Sequence, residues 1–144
     1  MRVVVFGGAG FIGSHCVDEL ISKSADVLLI DNLSTGLRSS INPSACFSML
    51  DVCEPELRNA VSDWGIPDAM VVLAAQTSVA RSCMEPLEDA RINILGLINV
   101  VELCLQLGVP YILFSSSAAV YGEPEQLPIS EMHVTNPQSP YAVS

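Results

Sequence analysis

Basic residues are scarce in this sequence of 144 residues, which has 6 lysines and arginines against 16 aspartates and glutamates. The formal charge of −10 repels phosphate backbones and anionic lipid headgroups, so we expect neither nucleic acid nor a membrane surface as a partner. Long apolar runs are missing as well, since the longest, residues 69–75, is far shorter than the ~20 residues that cross a bilayer. The N-terminus runs directly into structured sequence, and we expect a soluble, cytoplasmic chain.

Cysteine spacings typical of a disulfide framework or a zinc site are also absent. The five cysteines are an odd number and contain no C-x-x-C pair: Cys16, Cys46, Cys53, Cys83 and Cys104. The two histidines do not lie beside them at metal-ligand spacing. We therefore expect buried free thiols in a reducing compartment and no bound metal.

What the sequence does contain is the composition of one globular domain, with 50% hydrophobic and 15% charged residues. Short apolar runs bounded by turn residues predict five strands, at residues 3–6, 27–30, 47–50, 69–74 and 111–114. Helical spacing of apolar residues predicts three helices between them, at 10–21, 55–64 and 86–107. Strands that alternate with helices favour a doubly wound parallel α/β sheet of Rossmann type, ordered 3-2-1-4-5, which binds ligands at its carboxyl edge.

The strongest local signal is the segment Gly7 to Gly13, which reads Gly-Gly-Ala-Gly-Phe-Ile-Gly between a predicted strand and a predicted helix. Glycines at this spacing permit a tight turn and a close approach to a diphosphate, and the helix N-terminus offers unpaired N–H groups to the anion. Asp31 ends the second strand 18 residues after Gly13, where a carboxylate accepts hydrogen bonds from a ribose diol and repels a 2′-phosphate. The pattern favours NAD over NADP. The alternatives are glycines that serve only the turn and an Asp31 that only caps the turn after its strand.

Further polar side chains lie at the ends of other predicted strands. Asp51 follows the third strand, where it can meet an adenine amino group, although an aspartate at a strand end is common. Ser115–Ser117 follow the fifth strand, and Tyr141 comes 24 residues after the last of them. A tyrosine acts as a base when a nearby cation stabilises its phenolate; taken alone, these serines are turn formers and the tyrosine a packing residue. Arg81 and Arg91, near the fourth strand, could contact a phosphate but are interpreted as solvated charges.

Together these segments resemble the extended short-chain dehydrogenase/reductase family of NAD-dependent epimerases and dehydratases, over the whole chain. The segments that carry the resemblance are Gly7–Gly13, residues 31–36, Asp51–Val52, residues 73–76, Asn93, residues 115–122 and residues 136–141. Within the family the pattern is most similar to nucleotide-sugar 4-epimerases of the UDP-glucose and UDP-galactose type. The resemblance implies NAD as cofactor, a UDP-sugar as substrate and epimerisation at C4 by transient hydride transfer.

The resemblance also implies roles for individual residues. Ser117 would hydrogen-bond the sugar 4-oxygen, Tyr141 would remove its proton, and Ser78 would reach the substrate. Ala118 and Ala119 stand where dehydrating relatives carry an acidic pair, which disfavours dehydration. The residues implied in cofactor binding are Gly7, Gly10, Phe11, Ile12, Asp31, Asn32, Ser34, Thr35, Gly36, Asp51, Val52, Leu73, Ala74, Ala75, Asn93 and Ser115.

The family motif Tyr-x-x-x-Lys has only its tyrosine here, because the sequence stops at Ser144, one position before the lysine. We therefore expect residues 1–144 to be an incomplete NAD-binding domain, truncated before the last strands of its sheet, without the C-terminal substrate region and inactive alone. The full-length protein is expected to be a homodimer. Two alternatives stay open: a relative acting on UDP-glucuronate or a UDP-N-acetylhexosamine, and a non-catalytic NAD-binding module.

Overall fold

The computed structural model describes residues 1–144, which fold as a five-stranded sheet flanked by helices. The strands are β1 (Arg2–Phe6), β2 (Asp26–Ile30), β3 (Cys46–Ser48), β4 (Ala69–Val72) and β5 (Tyr111–Phe114). The helices are α1 (Phe11–Ser22), α2 (Leu57–Trp64), α3 (Val79–Met84), α4 (Pro86–Ala90), α5 (Gly96–Leu107) and α6 (Pro140–Val143). A π-helical turn spans Arg91–Leu95, and 3₁₀ turns lie at Arg38–Ser40 and Ala118–Tyr121.

The strands are all parallel and lie in the order β3-β2-β1-β4-β5, which confirms the predicted doubly wound sheet. The central strand β1 shows why the sheet needs unbroken apolar runs. Val4 and Phe6 face the side covered by α2 and α5, whereas Val3 and Val5 face the side where Val17 of α1 packs. Because helices cover both faces, every position from Val3 to Phe6 meets a core, and each such side chain contributes about 1.5–3 kcal/mol by its burial.

The single crossover helix predicted for residues 86–107 is divided in the structure into α4, the π-helical turn and α5. By length and mean hydropathy alone, the whole stretch is apolar enough to cross a membrane. Its apolarity has another explanation here, because Val100, Leu103 and Cys104 pack into the core cluster on one face of the sheet. The short helix α3 precedes this stretch and is not evident from the sequence pattern.

The exposure of the cysteines differs from the expectation of buried thiols. All five are free; Cys104 is buried and Cys16 and Cys53 are half-buried, but Cys46 and Cys83 are exposed. The expectation is wrong for Cys46 because this residue begins β3, which is an edge strand of the sheet. It is wrong for Cys83 because α3 buries only Ser82.

Candidate functional site

The glycine-rich loop between β1 and α1 lies tightly against the end of β4. Gly7 has φ +80°, and a Cβ there would lie 2.6 Å from the backbone nitrogen of Ala74. A Cβ at Gly13 would overlap the carbonyl oxygen of Gly7. Only glycine fits at either position, Gly7 for its left-handed backbone and Gly13 for the close contact. The loop therefore brings the start of α1 to the carboxyl edge of the sheet.

The N-terminus of α1 is open to an anion. Gly10 is the N-cap, no side chain caps the first turn, and that turn carries no acidic residue. A Cβ at Gly10 would contact only the Gly7 carbonyl oxygen, at 3.4 Å. The first N–H groups of a helix have no intrahelical partner, and the helix dipole adds positive potential there. Phe11 and Ile12, which are 84% and 65% exposed, leave apolar surface beside these groups for a ligand to cover.

Asp31 follows the last residue of β2 and is buried, with 8% of its surface exposed. Its Oδ2 accepts a hydrogen bond from the Ala9 N–H at 2.9 Å, and its Oδ1 accepts one from the Leu33 N–H at 2.8 Å. The carboxylate thus does cap the turn after β2, and it also holds the glycine-rich loop. An ionised carboxylate has about four acceptor positions, so two bonds leave capacity for the hydroxyls of a ligand.

The segment after β2 folds back over the glycine-rich loop. The N–H of Leu37 donates to the carbonyl of Ala9 at 3.1 Å. A Cβ at Gly36 would lie 2.9 Å from both the Cβ of Ala9 and the Oδ1 of Asp31, so glycine is needed for this close approach. Ser34–Thr35 are exposed in the intervening turn. The predicted cofactor segment therefore lies directly beside Asp31.

Asp51 lies in the turn after β3, at the centre of a polar cluster. Its Oδ1 accepts from the Cys53 N–H at 2.9 Å, its Oδ2 accepts from the Asn32 amide at 2.7 Å, and Arg91 Nη1 lies 3.8 Å away. Burial alone would raise the pKa of Asp51, but these hydrogen bonds and Arg91 hold the pKa below its ordinary value. Asp51 is therefore an ionised acceptor at neutral pH. Burial and the neighbouring Asp51 raise the pKa of the Cys53 thiol to about 11.

A second cluster, the buried amide cluster, consists of Gln76, Asp89 and Asn93. Asn93 exchanges two hydrogen bonds with the backbone of Gln76, at 2.8 and 3.0 Å, and its Nδ2 also donates to Ser144 Oγ at 3.0 Å. The Gln76 side-chain amide donates to Asp89 at 2.7 Å. The cluster fastens the loop after β4 to the π-helical turn and to the end of α6. The sequence analysis gave no role to Gln76, although residues 73–76 carry the resemblance, and it missed Asp89. The available signal for Asp89 was its position four residues before Asn93 on one helix face.

The ends of β4 and β5 and the helix α6 line a partly open cavity of about 210 Å³. Its wall includes six predicted site residues: Ala74, Ala75, Asn93, Ser115, Ser117 and Tyr141. Ser117 Oγ accepts a hydrogen bond from the Ala119 N–H at 3.2 Å and can still donate its own hydrogen to a ligand. No lysine, arginine or histidine lines the wall. The cavity thus presents hydroxyl groups to a small polar ligand, from Ser115, Ser116, Ser117, Tyr141 and Ser144.

The remaining predicted residues lie around these features. Val52 is buried next to Asp51, and the Leu73 N–H donates to the Phe6 carbonyl at the end of β4. Ser78 is exposed and caps α3 by accepting from the Arg81 N–H at 3.2 Å. It does not line the cavity that contains Ser117 and Tyr141, so its contact with a substrate stays a prediction.

Known proteins resemble this arrangement along the whole chain. Residues 3–144 match the model of the NAD dependent epimerase/dehydratase family. A putative UDP-glucose 4-epimerase of Methanocaldococcus jannaschii is 45% identical over 99% of this chain and 47% of its own length. The crystal structure of Thermus thermophilus UDP-glucose 4-epimerase in complex with NAD is 39% identical with a TM-score of 0.93, covering 99% of this chain and 47% of that one.

A second solved structure differs in substrate. The UDP-N-acetylglucosamine 4-epimerase of Methanobrevibacter ruminantium, in complex with UDP-N-acetylmuramic acid, is 38% identical with a TM-score of 0.89 and covers 99% of this chain and 46% of that one. The chain spans about half the length of the relatives that it matches.

Proposed function

Because the chain belongs to the NAD dependent epimerase/dehydratase family, we propose that it forms the NAD-binding part of an enzyme that epimerises a nucleotide-sugar at C4. The observation that carries the proposal is the placement of Ser117 and Tyr141 in one cavity wall, at the sheet edge that also holds the glycine-rich loop and Asp31. The relatives named as UDP-glucose 4-epimerases support UDP-glucose and UDP-galactose as substrates. A UDP-N-acetylhexosamine is the second candidate, which the Methanobrevibacter enzyme supports.

The residues at this edge fit NAD. The uncapped start of α1 offers its N–H groups to the diphosphate, and Asp31 has acceptor capacity for the ribose hydroxyls. A 2′-phosphate would face the Asp31 carboxylate, so NAD is preferred to NADP. Asp51 accepts from the adenine amino group. The other residues proposed to contact the cofactor are Gly7, Gly10, Phe11, Ile12, Asn32, Ser34, Thr35, Gly36, Val52, Leu73, Ala74, Ala75, Asn93 and Ser115.

NAD, when bound, supplies the acceptor and donor of hydride in this chemistry. The chain's own part is proton handling: Ser117 donates a hydrogen bond to the oxygen at C4 of the sugar, and Tyr141 takes the proton of that hydroxyl and later returns it. A tyrosine needs a neighbouring cation to hold its phenolate near neutral pH, and the cavity wall carries no basic side chain. Residues 1–144 are therefore proposed to be inactive alone, the cation being the lysine of the family motif.

The full-length protein is proposed to be a cytoplasmic homodimer. Apolar side chains on the outer face of the π-helical turn and α5 support self-association, since Leu95, Ile98 and Leu105 are 58%, 48% and 75% exposed. The five free thiols support a reducing compartment, and the charge of −10 supports the expectation of no nucleic-acid or membrane partner.

Calorimetric titration with NAD and NADP tests the binding proposal. The wild-type chain should bind NAD more tightly, and Asp31→Asn should reduce that preference by about tenfold, because it removes the charge that faces a 2′-phosphate. Asp26→Asn is the matched control: Asp26 is exposed at the opposite end of the same strand and should leave the preference unchanged. A wild-type chain that binds neither dinucleotide, or prefers NADP, contradicts the proposal.

A chimera tests the enzyme against the non-catalytic NAD-binding module. Residues 1–144 joined to the remaining half of the Methanocaldococcus relative should epimerise UDP-galactose, whereas residues 1–144 alone should not. Tyr141→Phe in the chimera should abolish turnover and leave NAD affinity near wild type. A folded chimera that binds NAD without turnover favours the non-catalytic module.

A further inference from the structure

Arg91 lies at the start of the π-helical turn and reaches the polar cluster at the end of β3. Its guanidinium donates two hydrogen bonds of 2.8 Å to the Glu88 carboxylate and lies 3.8 Å from Asp51 Oδ1. Its carbonyl oxygen accepts a hydrogen bond from the Cys53 thiol at 3.2 Å. Arg91 is 41% exposed, as expected of a solvated charge, but its backbone is also bonded to Cys53 and its guanidinium pairs with Glu88 and Asp51.

Arg91 is the only basic side chain within ion-pair distance of Asp51. Two further carboxylates lie close by, because Glu88 binds the same guanidinium and Glu54 accepts from the Asp51 N–H at 3.2 Å. Like charges this close repel one another, and the Arg91 cation, which pairs with Glu88 and Asp51, offsets part of that repulsion. Without the guanidinium, the Asp51 side chain would lose both this compensation and one constraint on its orientation.

We propose that Arg91 is a positioning residue for adenine recognition, which holds the Asp51 carboxylate where it accepts a hydrogen bond from the 6-amino group of the purine. This inference rests on the proposed binding of NAD. Asp51 Oδ1 is bonded to the Cys53 N–H and faces Arg91, while Oδ2 has one partner, the Asn32 amide. A carboxylate oxygen has two acceptor directions, so Oδ2 keeps one for the purine. Arg91 acts through Asp51 and needs no contact with the cofactor.

The test compares NAD with nicotinamide hypoxanthine dinucleotide, in which a carbonyl oxygen replaces the 6-amino group. The full wild-type chain should bind NAD about tenfold more tightly, the value expected when a hydrogen bond to a charged group is lost. Arg91→Gln should weaken NAD binding by about fivefold and change binding of the hypoxanthine analogue by less than about twofold, so the preference largely disappears. Arg91→Lys, which keeps the charge and loses the planar fork, should retain an intermediate preference.

Arg81→Gln is the matched control, because this substitution removes the same charge. Arg81 pairs with Glu85 at 2.9 Å and makes no ion pair with Asp51. It should leave both affinities unchanged. Asp51→Asn should abolish the preference by itself, and adding Arg91→Gln to it should cause no further loss, because both changes act on one contact.

Equal weakening of the two dinucleotides in Arg91→Gln would indicate a merely structural role and overturn the inference, as would additive losses in the double variant. A wild-type chain that binds NAD but does not discriminate it from the analogue overturns the inference and leaves NAD binding intact. A wild-type chain that binds neither dinucleotide refutes the proposed function itself.

Discussion

Replacing Gly10 with alanine separates the folding role of the glycine-rich loop from its proposed role in binding. Gly10 has φ −75° and ψ 175°, which alanine adopts without strain, and the new Cβ would lie 3.4 Å from the Gly7 carbonyl oxygen. We expect the free energy of unfolding to fall by about 1 kcal/mol, the cost of alanine at an N-cap. We expect the methyl group to crowd a diphosphate bound at the first N–H groups of α1, so NAD should lose about 1.5–3 kcal/mol, or roughly 10- to 100-fold in affinity.

Calorimetric titration with NAD measures the loss of affinity, and urea denaturation measures the free energy of unfolding. Gly108→Ala is a matched control because Gly108 has φ +66° and no atom lies within 4 Å of an added Cβ. It should cost about 1–2 kcal/mol of stability, the penalty of a left-handed alanine, and leave NAD affinity unchanged. Gly13→Ala, whose Cβ would overlap the Gly7 carbonyl, should impair both folding and binding. The reasoning is refuted by a folded Gly10→Ala chain with wild-type affinity for NAD.

Three further outcomes are expected. The wild type should be more stable than Asp51→Asn, and this advantage should be complete above the unfolded pKa of about 3.9 and decline as the pH falls below that value, because the pKa of Asp51 is lower in the folded chain. Urea denaturation over an acidic pH series measures the advantage, and an advantage that survives full protonation of Asp51 contradicts the prediction. Cys53 should be alkylated by iodoacetamide far more slowly than the exposed Cys46, because burial and Asp51 raise the pKa of Cys53 to about 11 and little thiolate forms; mass spectrometry of the labelled peptides checks this, and equal rates would speak against it. Asp89→Ala should lower the free energy of unfolding by about 1–3 kcal/mol, since the substitution removes the acceptor of the buried Gln76 side-chain amide. The control Glu102→Ala, at an exposed position of α5, should leave the free energy of unfolding unchanged within error. Similar losses in the two variants would argue against a buried amide cluster.

The topology was predictable because its signals are local. A strand covered on both faces needs an unbroken apolar run, and Val3–Phe6 is such a run, followed at once by the glycine whose backbone has φ +80°. Right-handed crossovers then place the strands in order. For the same reason the sequence alone predicts Asp31 at the carboxyl edge, beside the glycine-rich loop.

Boundaries were less predictable, because they depend on hydrogen bonds between elements. The third strand, predicted over residues 47–50, lies at Cys46–Ser48, where it pairs with Leu28–Ile30 of β2. The predicted crossover helix contains a π-helical turn at Arg91–Leu95. That turn carries Asn93 in the buried amide cluster, and helical periodicity does not predict where such a turn lies.

By itself, the amino-acid sequence determined the parallel sheet, the glycine-rich turn and the residue types available at the carboxyl edge. Only the tertiary structure decided which of those residues meet: Arg91 with Asp51, Asn93 with Ser144 across 51 positions, and Gln76 with Asp89. The physical reason is that a hydrogen bond or ion pair acts over a few ångströms. Distances of that size between side chains on different elements are set by how helices pack on the sheet, and no spacing along the chain encodes them.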